Sequence, residues 1–180
     1  MISGLIPNRY AKALYKFAVE TGKTKQVYEE MKNVISAFSA DARLQKIMAN
    51  PHVDRKDKET LLLSAAGDKP GDDYTRFVSL ILDHHREEFA YLMALAYREI
   101  YRKDNHISQV KITTAAPLPE AEMDKLKAVV ERAFKGMSFE YHHEVDPNLI
   151  GGFVIDVDSA RMNASISSEL EQLRQNLSSN

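Results

Sequence analysis

The chain has 180 residues, 44% of them hydrophobic and 28% charged, with a formal net charge of −2. That apolar share supports a packed core, in one domain or two small ones, and excludes disorder as the main state. The slight negative balance argues against a nucleic-acid partner, which would demand surplus cations, and the lack of cysteine excludes disulfides, thiolate metal sites and cysteine nucleophiles. No apolar run approaches the roughly 20 residues of a membrane helix, so no direct membrane insertion is expected. Arg9, Lys12 and Lys16 are scattered through the opening segment with no separate apolar block, and no signal peptide is read there.

Helical spacing dominates up to residue 105. Tyr10, Leu14, Phe17 and Ala18 share one face of a first helix, and Val27, Met31, Val34 and Phe38 one face of a second. Asn8 is placed to cap the first, and Gly22 separates the two. Asp41 is placed to cap a short third helix that stops at Asn50-Pro51, because proline disfavours helical geometry in the residue before it. Asp54 is placed to cap a fourth, running through Leu61, Leu62 and Ala65, and residues 67–71 read as a loop. A fifth helix over 72–85 carries Phe77, Leu80, Ile81 and His84 on one side, and a sixth over 87–104 carries Phe89, Leu92, Met93, Ala96 and Ile100. Helices this short are marginal alone and must pack on one another.

From residue 106 the apolar period changes from 3.6 to 2. Val110, Ile112 and Thr114 predict a strand, and a helix follows over 119–135 with Met123, Leu126, Val130 and Phe134 on one stripe. Phe139, Tyr141, His143 and Val145 predict a second strand, Gly152–Val157 a third and Arg161–Ser165 a short fourth. A helix from Ser167 places Leu170, Leu173 and Leu177 on one face. The expected fold is mainly α: a six-helix bundle over 1–105 followed by a small α+β domain over 106–180. The first part carries a net charge of +2 and the second −4, a weak sign that they face different partners.

Patterns that would carry catalysis are missing. His84-His85 are adjacent on a helix and diverge by about 100°, and His142 and His143 alternate across a strand, so neither pair converges on a metal. There is no Gly-x-Ser-x-Gly, and nothing around Gly151-Gly152 resembles a phosphate loop. Asp156 and Asp158 lack further oxygen ligands, and no basic groove accompanies the tyrosines. No catalytic residue, cofactor or metal is expected. Two surfaces remain for interaction: the mixed small and large apolar stripe of the first helix, and the leucine stripe of the tail.

The segment Arg9-Tyr10-Ala11-Lys12-Ala13-Leu14-Tyr15-Lys16-Phe17-Ala18 resembles the first helix of the delta subunit of bacterial F-type ATP synthase, called OSCP in mitochondria. Asn50-Pro51 is similar to the break after that family's third helix, and residues 77–82 followed by Arg86 are similar to its fifth helix. Thr114-Ala115-Ala116-Pro117-Leu118 resembles the turn opening its second domain, and Asp146-Pro147-Asn148-Leu149-Ile150-Gly151-Gly152-Phe153 resembles its most recognisable motif. Ser165-Ile166 followed by Leu170 and Leu173 is similar to its end. The departures are Asn163 where the family often has Asp, Ser167 and Ser168 where an Arg often stands, and His84-His85-Arg86 for the usual Asn-Gly-Arg.

The resemblance implies a non-catalytic tether that joins the catalytic head to the peripheral stalk, so that rotor torque cannot turn the head and proton flow stays coupled to ATP synthesis. It also implies partners. The amino-terminal helix of an alpha subunit would lie in a groove made by Tyr10, Ala13 and Leu14 of the first helix and Phe77, Leu80 and Ile81 of the fifth. The last helix, with Leu170, Leu173 and Leu177, would face the b subunit. The start at Met1 without a transit peptide points to a bacterial source and the cytoplasmic face of the inner membrane. The competing expectation is a free-standing adaptor that binds other helices, and an enzyme ranks last.

Overall fold

A computed structural model describes residues 4–134, 137–149, 152–158 and 160–165, the last segment as backbone alone. The chain divides into two compact units, Met1–Asp104 and Asn105–Asn180. The described residues are mainly helical, with a small α+β part. The first unit holds α1 (Leu5–Glu20), α2 (Thr24–Ala40), α3 (Arg43–Ala49), α4 (Arg55–Ala66), α5 (Asp72–Asp83), a 3-10 turn at Glu87–Phe89, and α6 (Ala90–Asp104). A seventh described helix lies in the second unit.

The core of the first unit follows from the spacing of its small and large apolar residues. α1 turns Pro7, Ala11, Leu14 and Ala18 inward, in steps of four, three and four. It packs on α6, where Met93, Ala94 and Tyr97 are completely buried. α2 packs on α6 and α4 through a buried row from Val27 to Phe38. α5 packs on α4 and also meets α1. Tyr74, Val78, Ile81 and Leu82 are its most deeply buried apolar residues, and the Tyr74 hydroxyl donates to the Leu62 carbonyl at 2.8 Å.

Helix ends and caps differ from the sequence expectation in several places, α5 among them, which stops at Asp83. α1 begins at Leu5, with Gly4 at its N-cap, so Asn8 lies inside the first turn. Its side chain donates from Nδ2 to the Gly4 carbonyl at 3.0 Å. Pro7 is tolerated there because the first turn leaves its N–H positions unpaired anyway. Asp41 accepts from the Arg43 backbone N–H at 2.9 Å, although Ala42 holds the N-cap position of α3. Asp54 does occupy the N-cap of α4, but no side-chain capping bond forms. The expected single helix over 87–104 opens as the 3-10 turn before continuing as α6.

The second unit holds β1 (Ile107–Thr114), α7 (Glu120–Ala133), β2 (Ser138–Val145), β3 (Gly152–Val157) and β4 (Ala160–Ser165). The sheet order is β2-β1-β3-β4. β1 and β2 run parallel, with α7 as the connection such a pair needs, and β1–β3 and β3–β4 are antiparallel. Val110 and Ile112 of β1, Val130 of α7, and Ile155 and Val157 of β3 form the core. Met123, Leu126, Phe134, Phe139, Tyr141 and Phe153 pack around it. Leu170, Leu173 and Leu177 lie outside the described residues.

Candidate helix-binding groove

α1 and α5 run antiparallel, with Tyr10 near His84 and Thr21 near Asp73, and each carries a second stripe along the edge of its buried face. On α1 this stripe is Ile6, Tyr10, Ala13 and Phe17; on α5 it is Asp73, Phe77, Leu80 and His84. Both step by four, three and four, so each stays on one side of its helix for about three turns. The two stripes line an open furrow. One part of it, of about 370 Å³, is lined by Tyr10, Ala13, Leu14 and Phe17 with Asp73, Arg76, Phe77 and Leu80. A second, of about 450 Å³, shares Tyr10, Ala13 and Leu80 with the first and continues past Ile6, Arg9, His84 and Arg86.

The floor is apolar and partly exposed. Leu80 remains 43% accessible, uncommon for a leucine in the middle of a helix whose neighbours Ile81 and Leu82 are buried. Tyr10 and Phe17 are half-buried and Ala13 is exposed. Leu14 and Phe77 reach the cavity while spending most of their surface on the core.

Polar contacts join the two walls at both ends. The Tyr10 hydroxyl and His84 Nδ1 are 2.7 Å apart, with their rings edge to face. At the other end Thr21 Oγ1 donates to Asp73 Oδ2, and Lys23 Nζ lies 3.7 Å from Asp73 Oδ1. Behind Asp73, Glu30 of α2 is buried and accepts from the Gly71 N–H at 2.7 Å. Burial pushes the Glu30 carboxyl above the ordinary glutamate value, against the lowering effect of that bond and of Gln26.

The α5 terminus at the furrow is a Schellman motif. His85 takes a left-handed φ of 53°, its N–H bonds the Leu82 carbonyl at 3.1 Å, and the Arg86 N–H bonds the Ile81 carbonyl at 2.8 Å. α1 ends the same way, with Gly22 at φ 70° and the Lys23 N–H on the Ala18 carbonyl at 2.9 Å. His84 and His85 are therefore helix-ending residues. His143 is held by Thr114 Oγ1 at 2.8 Å, and no cluster of three or more metal-ligating side chains occurs among the described residues. A separate cavity of about 570 Å³ near α3 and α4 is lined in part by Lys58 and Glu87, a buried ion pair at 2.7 Å. Met48, Ala49, Pro51, Val53 and Leu82 give it apolar walls as well, around that charged pair.

Of the six side chains expected to make the groove, Tyr10, Ala13, Leu14, Phe77 and Leu80 line the furrow. Ile81 does not: it is 1% exposed and belongs to the core, because it lies about 100° around the helix from Leu80. Ile6, Phe17, Asp73, Arg76, His84, Arg9 and Arg86 complete the lining and were not expected there. The signal for most of them was present as a second four-three-four series on each helix. It was hidden because one wide apolar face reads as a single stripe.

Residues 6–177 match the family model for the ATP synthase delta (OSCP) subunit. The chain is 35% identical over 176 residues to the ATP synthase subunit delta of Phocaeicola vulgatus, covering 97% of this chain and 95% of the relative. It is 33% identical over 177 residues to that of Parabacteroides distasonis, covering 98% of both. In three dimensions it superposes with a TM-score of 0.68 on a chain of the Toxoplasma gondii mitochondrial ATP synthase hexamer, at 18% identity over 97% of this chain and 98% of that one, a likeness of fold. The chain belongs to the ATP synthase delta (OSCP) subunit family.

Proposed function

We propose that the furrow between α1 and α5 clasps the amino-terminal amphipathic helix of an ATP synthase alpha subunit. The family role is that of a stator subunit of the F-type ATP synthase, structural rather than catalytic, in a component peripheral to the membrane. Within that role the first domain, residues 1–105, acts as a six-helix bundle that grips the catalytic head. The second domain, residues 106–180, faces the b subunit of the peripheral stalk, with Leu170, Leu173 and Leu177 as its contact stripe. The protein works at the cytoplasmic face of a bacterial inner membrane, held there by its partners. By linking head to stalk it opposes rotor torque and keeps proton translocation coupled to ATP synthesis.

The observation that carries this reading is the open furrow between adjoining helices, with Tyr10, Ala13, Phe17 and Leu80 accessible along its apolar floor. Recognition of a helix in a groove needs anchors at such spacing, and a few buried anchors supply most of the energy. Apolar surface removed from water contributes about 25 cal/mol per Å², so covering Tyr10, Ala13, Phe17 and Leu80 offsets part of the cost of association. Titration of a synthetic peptide of the alpha amino-terminal helix tests it. Tyr10→Asp and Leu80→Glu are each expected to weaken binding by about 100-fold, the loss of a central anchor, without unfolding the protein. Unchanged affinity in both variants rejects the groove. Restoring ATP synthesis to delta-depleted membranes with wild-type protein, but not with Leu80→Glu, ties the groove to coupling.

A further inference from the structure

We infer that the groove selects a helix with acidic side chains flanking its apolar face, read by Arg9 and Arg86 at one end and by Arg76 at the other. This deepens the proposed function and rests on it. All three arginines are exposed, all three line the furrow, and none has a carboxylate partner among the described residues. Three of the neighbouring carboxylates are already engaged. Asp83 pairs with Arg55 at 2.7 Å, Glu87 with Lys58 at 2.7 Å, and Asp73 is held by Thr21 and Lys23. A guanidinium is a rigid fork matched to a carboxylate. Placed around an apolar floor, three of them form a cationic rim in a chain whose overall charge is −2. A rim of this kind governs encounter rate and register more than equilibrium affinity, because its charges remain hydrated.

The prediction is first legible in sequence: the alpha amino-terminal helix of the same organism carries Asp or Glu beside its apolar stripe. It is then kinetic. Association of the alpha peptide with the full-length protein is followed between about 0.05 and 0.5 M salt, where screening grows steeply. The wild-type association rate is expected to fall about tenfold across that range. An Arg9→Glu/Arg86→Glu variant is expected to bind about tenfold more slowly at low salt, with the dissociation rate changed less than about threefold. Arg76→Glu alone should lose less, and Arg9→Lys/Arg86→Lys should recover most of the rate. A peptide with its acidic residues changed to Lys should bind the Glu variants faster than the wild type. Salt-independent association with tight binding intact overturns the rim and leaves the groove standing. Failure of the wild type to bind the peptide overturns both. Capture of the protein by phosphatidylglycerol vesicles but not by the peptide assigns the rim to a lipid surface and likewise overturns the inference.

Discussion

α1 meets two helices in opposite ways. Toward α6 it offers Ala11, Leu14 and Ala18, and that seam is closed: the two alanines are completely buried. Toward α5 it offers Tyr10, Ala13 and Phe17, and that seam stays open as a furrow. Both series have the same step, and both include an alanine, so composition alone does not separate them. What differs is whether the facing helix comes close enough to fill the space. The contrast teaches that one amphipathic helix can spend one stripe on folding and hold the next in reserve for a partner.

Four experiments probe that contrast. Enlarging the closed seam has the largest effect: Ala18→Leu has no room and should cost about 1–3 kcal/mol of stability, read by urea denaturation. Tolerance of that change would mean the α1–α6 seam is loose. His85→Gly at the α5 terminus should stabilise by about 0.5–1 kcal/mol, because glycine occupies the left-handed region without strain, as Gly22 already does at the α1 terminus. A loss of stability would show that the His85 side chain supports the end of the furrow.

The Glu30 carboxyl gives a pH test of the wall behind Asp73. Its pKa is raised in the folded state above the reference value of 4.5. The stabilising contribution is therefore complete below that reference, and it is lost as pH rises through the folded value. Glu30→Gln removes the dependence, so wild type should lose stability relative to the variant as pH climbs from 4.5, and the difference should level off above the folded pKa. Parallel stability curves would place Glu30 in a more hydrated setting. The smallest effect on folding belongs to the open seam: Ala13→Leu should change stability by less than about 0.5 kcal/mol while weakening the alpha peptide, since the added carbons occupy the partner's space. Destabilisation on the scale of Ala18→Leu would erase the distinction between the seams.

Much of the architecture is legible in the sequence. The rows Val27–Phe38 and Val110–Thr114 have unambiguous periods, and Asn50-Pro51 stops α3 for a reason local to the chain. The groove was legible in part. Phe77 and Leu80 belong to it, but Ile81 was grouped with them because an apolar face wider than a single stripe has no internal boundary in sequence. The boundary is set by which neighbour arrives, which is tertiary information. The polar lining was less visible still. Asp73 reads as an ordinary first-turn acid, and its role at the furrow depends on Thr21 and Lys23, some fifty residues away in the chain. The rim arginines read as solvated charge, since the pairing of Asp83 with Arg55 and of Glu87 with Lys58 is not visible in the chain.

The lengthwise course of the furrow has a mechanical consequence. A rod seated along it touches Phe17 near one end and Ile6 near the other, so a pull along its axis loads every anchor at once. Rupture under such shear requires the whole row to let go together, whereas a pull across one tip would unzip the contacts in turn. The clamps at Tyr10–His84 and Thr21–Asp73 tie the walls together against spreading as the load rises. A contact that is reversible in solution can in this way act as a firm coupling when the strain runs along its length.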